Sequence, residues 1–273
     1  MNMRTILITG TTSGLGEFIT LNLLNKGHRV LGLSRTDLDN TSPLKLYENN
    51  SYFHKKCDLN DQKQIMRIEK FFPTEVLGSL SAIISNAGIH GPLGNLKDVD
   101  TNEFMRAINV NLVAPFLIAK KFVPLMCSND VDRPKFIQLS GGGATKPMYF
   151  ALGYAASKTA VVRLMNSIAV EYKDICDINS LAPGVLNTKL LDEVINAGTE
   201  KVGFDYFNNI KKYKNEGATD MGKAYELIEF LLSSDSDGLT GKLISAVWDD
   251  YKSWVPNIEE ISNSEIYTLI RKV

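Results

Sequence analysis

Short apolar runs alternate with longer stretches in which apolar residues return every three or four positions, and this alternation continues through most of the chain. Strand-like runs fall at 5–9, 29–34, 82–85, 136–140, 178–182 and 242–248, with a weaker one at 52–57. That weaker run carries His54, Lys55 and Lys56, so it belongs near a sheet edge. Helical periodicity covers 14–25, 61–72, 101–126, 154–172 and 221–233. Strands separated by helices predict an α/β fold, a parallel sheet wrapped by helices on both faces. Two segments break the pattern. Residues 189–220 read as a long loop or lid, and 249–273 as an appended helix, with Trp254, Val255, Ile258, Ile261, Ile266, Leu269 and Ile270 loosely spaced along it.

At 273 residues, 44% hydrophobic and 22% charged, the chain can bury one large core or two small ones. It contains no internal repeat, low-complexity tract or separating linker, so one domain over 1–248 with an extension over 249–273 is expected. Thirty basic against 31 acidic residues give a net charge of −1, too balanced for a nucleic-acid partner. No window reaches the ~20 uninterrupted apolar residues of a membrane span. The start, MNMRTILITG, runs into the first strand without a signal-type apolar region, so no membrane partner and a cytoplasmic location are expected. Cys57, Cys127 and Cys176 form no CxxC pair and read as buried thiols. His28, His54 and His90 have no ligand spacing, so no metal is expected and each reads as structural or solvated.

Chemistry enters at the first strand-to-helix junction. There TGTTSGLGE places Gly10, Gly14 and Gly16 beside a helix N-terminus, whose free N–H groups and dipole favour a phosphate. This turn resembles the TGxxxGxG turn of the short-chain dehydrogenase/reductase family. CDLND (57–61), SNAG (85–88), NVNL (109–112), QLSGGG (138–143), YAASK (154–158) and APGVLNT (182–188) follow in that family's order, so the resemblance spans residues 4 to about 248. It implies a Rossmann-like, doubly wound, three-layer sheet with the cofactor across the strand C-terminal ends.

Tyr154 and Lys158, four apart on a predicted helix, share one face, and a nearby ammonium favours the phenolate. By themselves they read rather as a solvated surface pair, and the neighbouring motifs reverse that preference. The resemblance implies that Tyr154 is the general acid/base, that Lys158 lowers its pKa and holds the nicotinamide ribose, and that Asn111 anchors a relay water. It also implies that Ser140 orients the substrate carbonyl. Here the sequence departs from the family, whose serine stands thirteen residues before the tyrosine. Ser140 stands fourteen before, and Gly141 takes the usual place. The run Gly141, Gly142, Gly143 can absorb one extra residue; otherwise Ser140 is a strand-end hydroxyl serving local backbone.

For the cofactor, the resemblance implies contacts from Gly10, Thr12, Ser13, Gly14, Leu15 and Gly16 in the turn. It adds Asp58 and Leu59 after the third strand, Asn86, Ala87 and Gly88 after the fourth, and Pro183, Gly184, Val185 and Thr188 after the sixth. The acidic residue that binds both ribose hydroxyls of NAD is missing after the second strand. Ser34 and Arg35 suit a 2′-phosphate instead, so NADP(H) is preferred over NAD(H), although Asp37 lies close by and Ser13 stands where many NADP-using relatives are basic. Asp58 could alternatively cap the next helix, Asn86 brace the sheet, and Arg35 be a plain surface side chain.

The expected activity is reversible hydride transfer between NADP(H) and a carbonyl/secondary alcohol pair of a small molecule. Two alternatives stand beside it: a nucleotide-sugar epimerase or dehydratase-like enzyme that retains its nicotinamide, and a non-catalytic cofactor-sensing protein. In 189–220, Phe204, Tyr206, Phe207 and Tyr213 alternate with Lys201, Lys211, Lys212 and Lys214, which fits either a lid for an anionic substrate or an amphipathic helix with solvated lysines. The family's usual TGxxxxVDGG ending is replaced by LTGKLISAVWDDYKSW, whose Trp248 and Trp254 could cover the substrate mouth or a subunit contact. The family often builds dimers and tetramers through the helices at 101–126 and 154–172, so a homodimer or homotetramer is expected.

Overall fold

In the computed structural model, residues 3–148 and 150–271 are described. Strand β1 (Thr5–Thr9) leads into helix α1 (Gly14–Asn25), β2 (Arg29–Ser34), β3 (Tyr52–Lys56) and two single-turn helices, α2 (Gln62–Ile65) and α3 (Thr74–Leu77). Strand β4 (Leu80–Ser85), α4 (Thr101–Ile108), α5 (Ala114–Ser128), β5 (Lys135–Leu139), α6 (Leu152–Tyr172) and β6 (Asp177–Ala182) follow. The chain then forms α7 (Lys189–Val202), α8 (Phe204–Glu216), α9 (Met221–Leu232), β7 (Leu243–Ser245) and α10 (Ile258–Asn263).

The strands make one all-parallel sheet in the order β3-β2-β1-β4-β5-β6-β7. Its central strands are buried on both faces, which is why they read as unbroken apolar runs. Ile6 and Ile8 face a core with Ile19, Leu23, Leu227 and Ile228, whereas Leu7, with Leu31 and Ile83, faces a second core with Ile118, Phe122 and Val161. Winding reverses between β1 and β4, so their connections leave toward opposite faces and open a crevice at the strand C-terminal ends. At the other end, buried Lys135 bonds Asp177 at 2.7 Å and Asp237 at 2.6 Å, tying β5 and β6 to the segment after α9.

Several predicted boundaries change. Residues 61–72 form α2 and a separate 3-10 turn, Ile68–Phe71; the helix breaks at Arg67 (φ −111°, ψ 6°), and the turn ends where Pro73 holds Phe72 extended. Residues 101–126 are α4 and α5 joined by a π-helical turn, Asn109–Val113. The stretch 101–128 is long and apolar enough to cross a membrane by composition, but half of its apolar window is buried, including Ile118, Phe122 and Met126. It is a core helix. Residues 189–220 contain α7 and α8 rather than a long loop, because Leu191, Val194, Val202 and Ile210 bury a small core of their own against Leu93, Phe150 and Val185. Lys214 pairs with Asp192, and Lys201, Lys211 and Lys212 lie on the surface, so these are amphipathic helices.

The tail is not one appended helix. A 3-10 turn at Tyr251–Asn257 and short α10 pack onto the first core through buried Tyr251 and Trp254. Trp254 stacks on Tyr267 at 4.4 Å, while Lys242 Nζ donates to the Ser264 and Ile266 carbonyls. Trp248 is exposed. Cys57 and Cys176 are buried, whereas Cys127 is only partly so, and all three are free. His28 is structural, its Nδ1 accepting from the Arg4 amide at 3.1 Å. Replacing Trp254 by Ala should cost about 3–5 kcal/mol, read as a lower urea midpoint.

Candidate active site

The crevice is assembled from backbone first. Gly10 (φ 76°) and Gly14 (φ 57°) adopt left-handed conformations that shape the turn between β1 and α1. Gly16 is required for packing: a Cβ there would lie 2.0 Å from the Gly10 carbonyl oxygen. The helix therefore starts in contact with the strand end. Ser13, its N-cap, makes no side-chain cap bond, so the leading amides of α1 keep their donors for another acceptor. These features form a cradle that only glycine permits, and they fit a dinucleotide pyrophosphate. Asn86 and Ala87 lie against the turn: their amides donate to Thr9 Oγ1 at 3.0 Å, and Asn86 Nδ2 donates to the Thr9 carbonyl at 2.9 Å. Asn86 thus braces β4 to β1.

Thr188 faces the glycine turn from the opposite wall; a methyl built on Gly14 would lie 3.4 Å from its Cγ2. The preceding turn needs Gly184 (φ 87°), because a Cβ there would meet Thr219 Oγ1 at 2.6 Å. Pro183 and Val185 flank it, and the Val185 carbonyl accepts from the Thr219 amide at 2.7 Å. At the end of β2, Thr12 bonds Thr36 at 3.0 Å beside a cleft of about 420 Å³, also lined by Glu17, Asp37 and Asp39. Ser34 Oγ donates to the Thr36 carbonyl and lies 2.6 Å from His54 Nε2. Arg35 is exposed, and Asp37 is paired with Lys56 at 3.3 Å. Asp61, not Asp58, caps α2; Asp58 accepts from the Asn60 amide within a turn, and Leu59 beside it is buried.

Buried Asn111 sits in the π-helical turn, a local widening that turns its amide inward. Its Oδ1 accepts from the Ile89 amide at 2.9 Å, and its Nδ2 donates to the Ile89 carbonyl and to Ser157. The chain after SNAG is therefore clamped to α6. A Cβ on Gly88 would lie 3.4 Å from both Asn111 Oδ1 and Lys158 Nζ, which places these two side chains around the same backbone.

Tyr154 and Lys158 do not form a solvated pair. Lys158 is buried, its Nζ donates to the Leu139 carbonyl at 2.9 Å, and it stands 5.7 Å from the Tyr154 ring centre. Burial pushes Lys158 down to about 8. Burial, reinforced by Tyr206 of α8, pushes Tyr154 up to about 12. The helical spacing predicts that Lys158 lowers the tyrosine; here desolvation dominates, and Tyr154 is a neutral phenol at neutral pH. A neutral phenol is a proton donor.

Ser140 is not in hydrogen-bond contact with Tyr154. Its hydroxyl is buried without a partner among the described residues. Gly141 lies against the Tyr154 hydroxyl instead: a Cβ there would fall 2.5 Å from Tyr154 Oη. No side chain fits at the usual serine position unless the tyrosine moves. His90, read from sequence as structural or solvated, stands in the site wall. It is buried, its ring meets Tyr154 edge-on with centres 5.0 Å apart, and its Nδ1 lies 3.1 Å from Glu193 Oε2 on α7. Its place two residues after Gly88 was the only sequence signal. Tyr206, one of the aromatic residues in the 189–220 stretch, reaches Tyr154 from α8.

A doubly wound sheet with a glycine cradle at its switch point, and a buried Tyr–Lys helix turn beside it, defines a nucleotide-dependent oxidoreductase. The sequence profile described as short chain dehydrogenase matches residues 4–198, and the chain belongs to that family. It is 29% identical over 227 residues to the benzil reductase ((S)-benzoin forming) of Bacillus cereus, covering 79% of this chain and 88% of that one. It is 28% identical over 190 residues to an NADPH-dependent pterin aldehyde reductase of Arabidopsis thaliana, covering 69% and 77%. Ligand-free aldohexose dehydrogenase of Thermoplasma acidophilum superposes with a TM-score of 0.73 at 26% identity, covering 89% and 92%. The protein is a dehydrogenase/reductase acting on CH–OH groups, of a family that binds NAD(P).

Lys158 binds its proton more weakly when folded than when unfolded. Between pH about 8 and 10.5 the unfolded chain holds the extra proton, so stability rises with pH across that window. Below it, Lys158 is a net cost to folding. Lys158→Met should therefore raise the urea midpoint at pH 7 while removing catalysis; a lowered midpoint would show that its bond to Leu139 outweighs desolvation.

Proposed function

We propose that the protein interconverts a small-molecule ketone or aldehyde and its alcohol using NADP(H), with Tyr154 as proton donor in reduction and acceptor in oxidation. The observation that carries this reading is the buried, neutral Tyr154 with Lys158 one helical turn away. The bound nicotinamide supplies or takes the hydride. The chain's residues bind and orient: the glycine cradle and the α1 amides suit the pyrophosphate, and Thr188 with the 183–185 turn suits the nicotinamide end. Lys158, when protonated, stabilises negative charge developing on the Tyr154 oxygen. Asn111, fully engaged with Ile89 and Ser157, acts by holding the 88–90 backbone against α6, and a relay water would bind at the backbone it positions.

Preference for NADP(H) is supported by exposed Arg35 beside Ser34 at the end of β2, and by Asp37 being offset by Lys56 rather than free to repel a phosphate. Asp58 and Leu59 suit the adenine side of the pocket. A homodimer or homotetramer is supported by exposed apolar Met105 and Phe116 on α4 and α5. Residue balance and the half-buried apolar stretch at 101–128 argue against nucleic-acid and membrane partners, and a cytoplasmic location is proposed with them.

Tyr154→Phe should lower turnover about 100- to 10,000-fold while leaving NADPH affinity within about twofold. Nicotinamide fluorescence and ketone reduction measure the two. Unchanged turnover would remove Tyr154 from the chemistry and move the weight to a cofactor-sensing role. In parallel titrations NADPH should bind more tightly than NADH, and Arg35→Ala should weaken NADPH alone, about tenfold. Equal weakening of both would place Arg35 on a part that the two cofactors share, and no weakening of either would assign it to the surface.

A further inference from the structure

The wall around Tyr154 is chemically lopsided. On one side Gly141 presents no side chain, and the hydroxyl of neighbouring Ser140 is buried without a hydrogen-bond partner among the described residues. On the other, the His90 ring packs edge-on against Tyr154. His90 is held from two directions. Its backbone follows Ile89, which Asn111 clamps to α6, and its Nδ1 meets the Glu193 carboxylate from α7. Its Nε2 has no hydrogen bond among the described residues.

A carboxylate only accepts hydrogen bonds, so Glu193 selects the imidazole form with its proton on Nδ1. In the neutral imidazole Nε2 then carries the lone pair. The ring is buried, tautomer-selected and adjacent to the proton donor. The substrate oxygen must reach Tyr154 Oη, so the substituent on the neighbouring carbon lies toward the side chains flanking that ring. We infer that His90 Nε2 accepts a hydrogen bond from a hydroxyl next to the reacting carbon, so that the substrates are α-hydroxy carbonyl compounds and the corresponding vicinal diols, with Glu193 as the positioning residue. This rests on the reading of Tyr154 as the proton donor.

The test compares matched ketones with NADPH: acetoin against 2-butanone, and benzoin against its deoxy ketone. The unaltered protein should favour the hydroxy ketone of each pair in kcat/KM. His90→Phe should lower that value about tenfold, the usual scale for one lost hydrogen bond in a buried site, and leave the plain ketones within about twofold. Glu193→Gln, whose amide can donate as well as accept, frees the tautomer; it should remove part of the preference through KM without altering NADPH binding. Glu193 is half-exposed, so this second variant reports even where His90→Phe fails to fold. Equal losses for both members of a pair, or no hydroxy-ketone preference in the unaltered protein, would overturn the assignment. Turnover retained by Tyr154→Phe would overturn the proton-donor reading instead, and the two failures appear in different proteins.

Discussion

The contact on which the site depends is backbone against backbone, where α1 begins on the end of β1. Gly16 lies so close to the Gly10 carbonyl that no Cβ fits between them, and Asn86 laces β4 to the same strand end. This fixes the direction of α1, and with it the line along which unpaired amides face the crevice. Because winding reverses between β1 and β4, nothing from the next connection crosses that opening. An alanine at position 16 would push the helix off the strand and spoil the cradle and the first core together.

A second constraint comes from burial. Lys158 and Tyr154 are held out of water, each shifted toward its neutral form, and the lysine's direct partner is a carbonyl rather than an anion. Such an arrangement weakens the fold and is useful only where charge develops during a reaction, when a desolvated ammonium acts over a short distance at low dielectric. The π-helical turn at Asn111 has a similar character. It interrupts a regular core helix so that one amide can clamp the segment carrying Gly88, Ile89 and His90. Local irregularity therefore concentrates around Tyr154, while the sheet beneath stays regular.

Much of this was legible from residues alone. Buried parallel strands announce themselves as apolar runs, and the glycine turn, the Tyr–Lys spacing and the SNAG and APG segments are local patterns. Where the reading missed, the cause was non-local. Residues 189–220 are rich in lysine and short of long apolar stripes, yet they fold as α7 and α8 because Leu93, Phe150 and Val185, distant in sequence, complete their core. The tail is bent because Trp254 reaches Tyr267 and Lys242 reaches two tail carbonyls. Ser140 occupies nearly the expected place in sequence, but one residue of register decides whether a hydroxyl or a glycine meets Tyr154 Oη.

The sequence by itself determined the α/β class, the doubly wound parallel sheet implied by its family resemblance, the glycine turn and the Tyr154–Lys158 spacing, since each is written in residues close together along the chain or in a repeated period. Only the tertiary structure decided that the lysine is desolvated, that Gly141 rather than a serine adjoins the tyrosine, and that His90 and Glu193 stand beside it. Those facts depend on the approach of β4, α6 and α7 to one point, and no local pattern records where three separately folded segments converge.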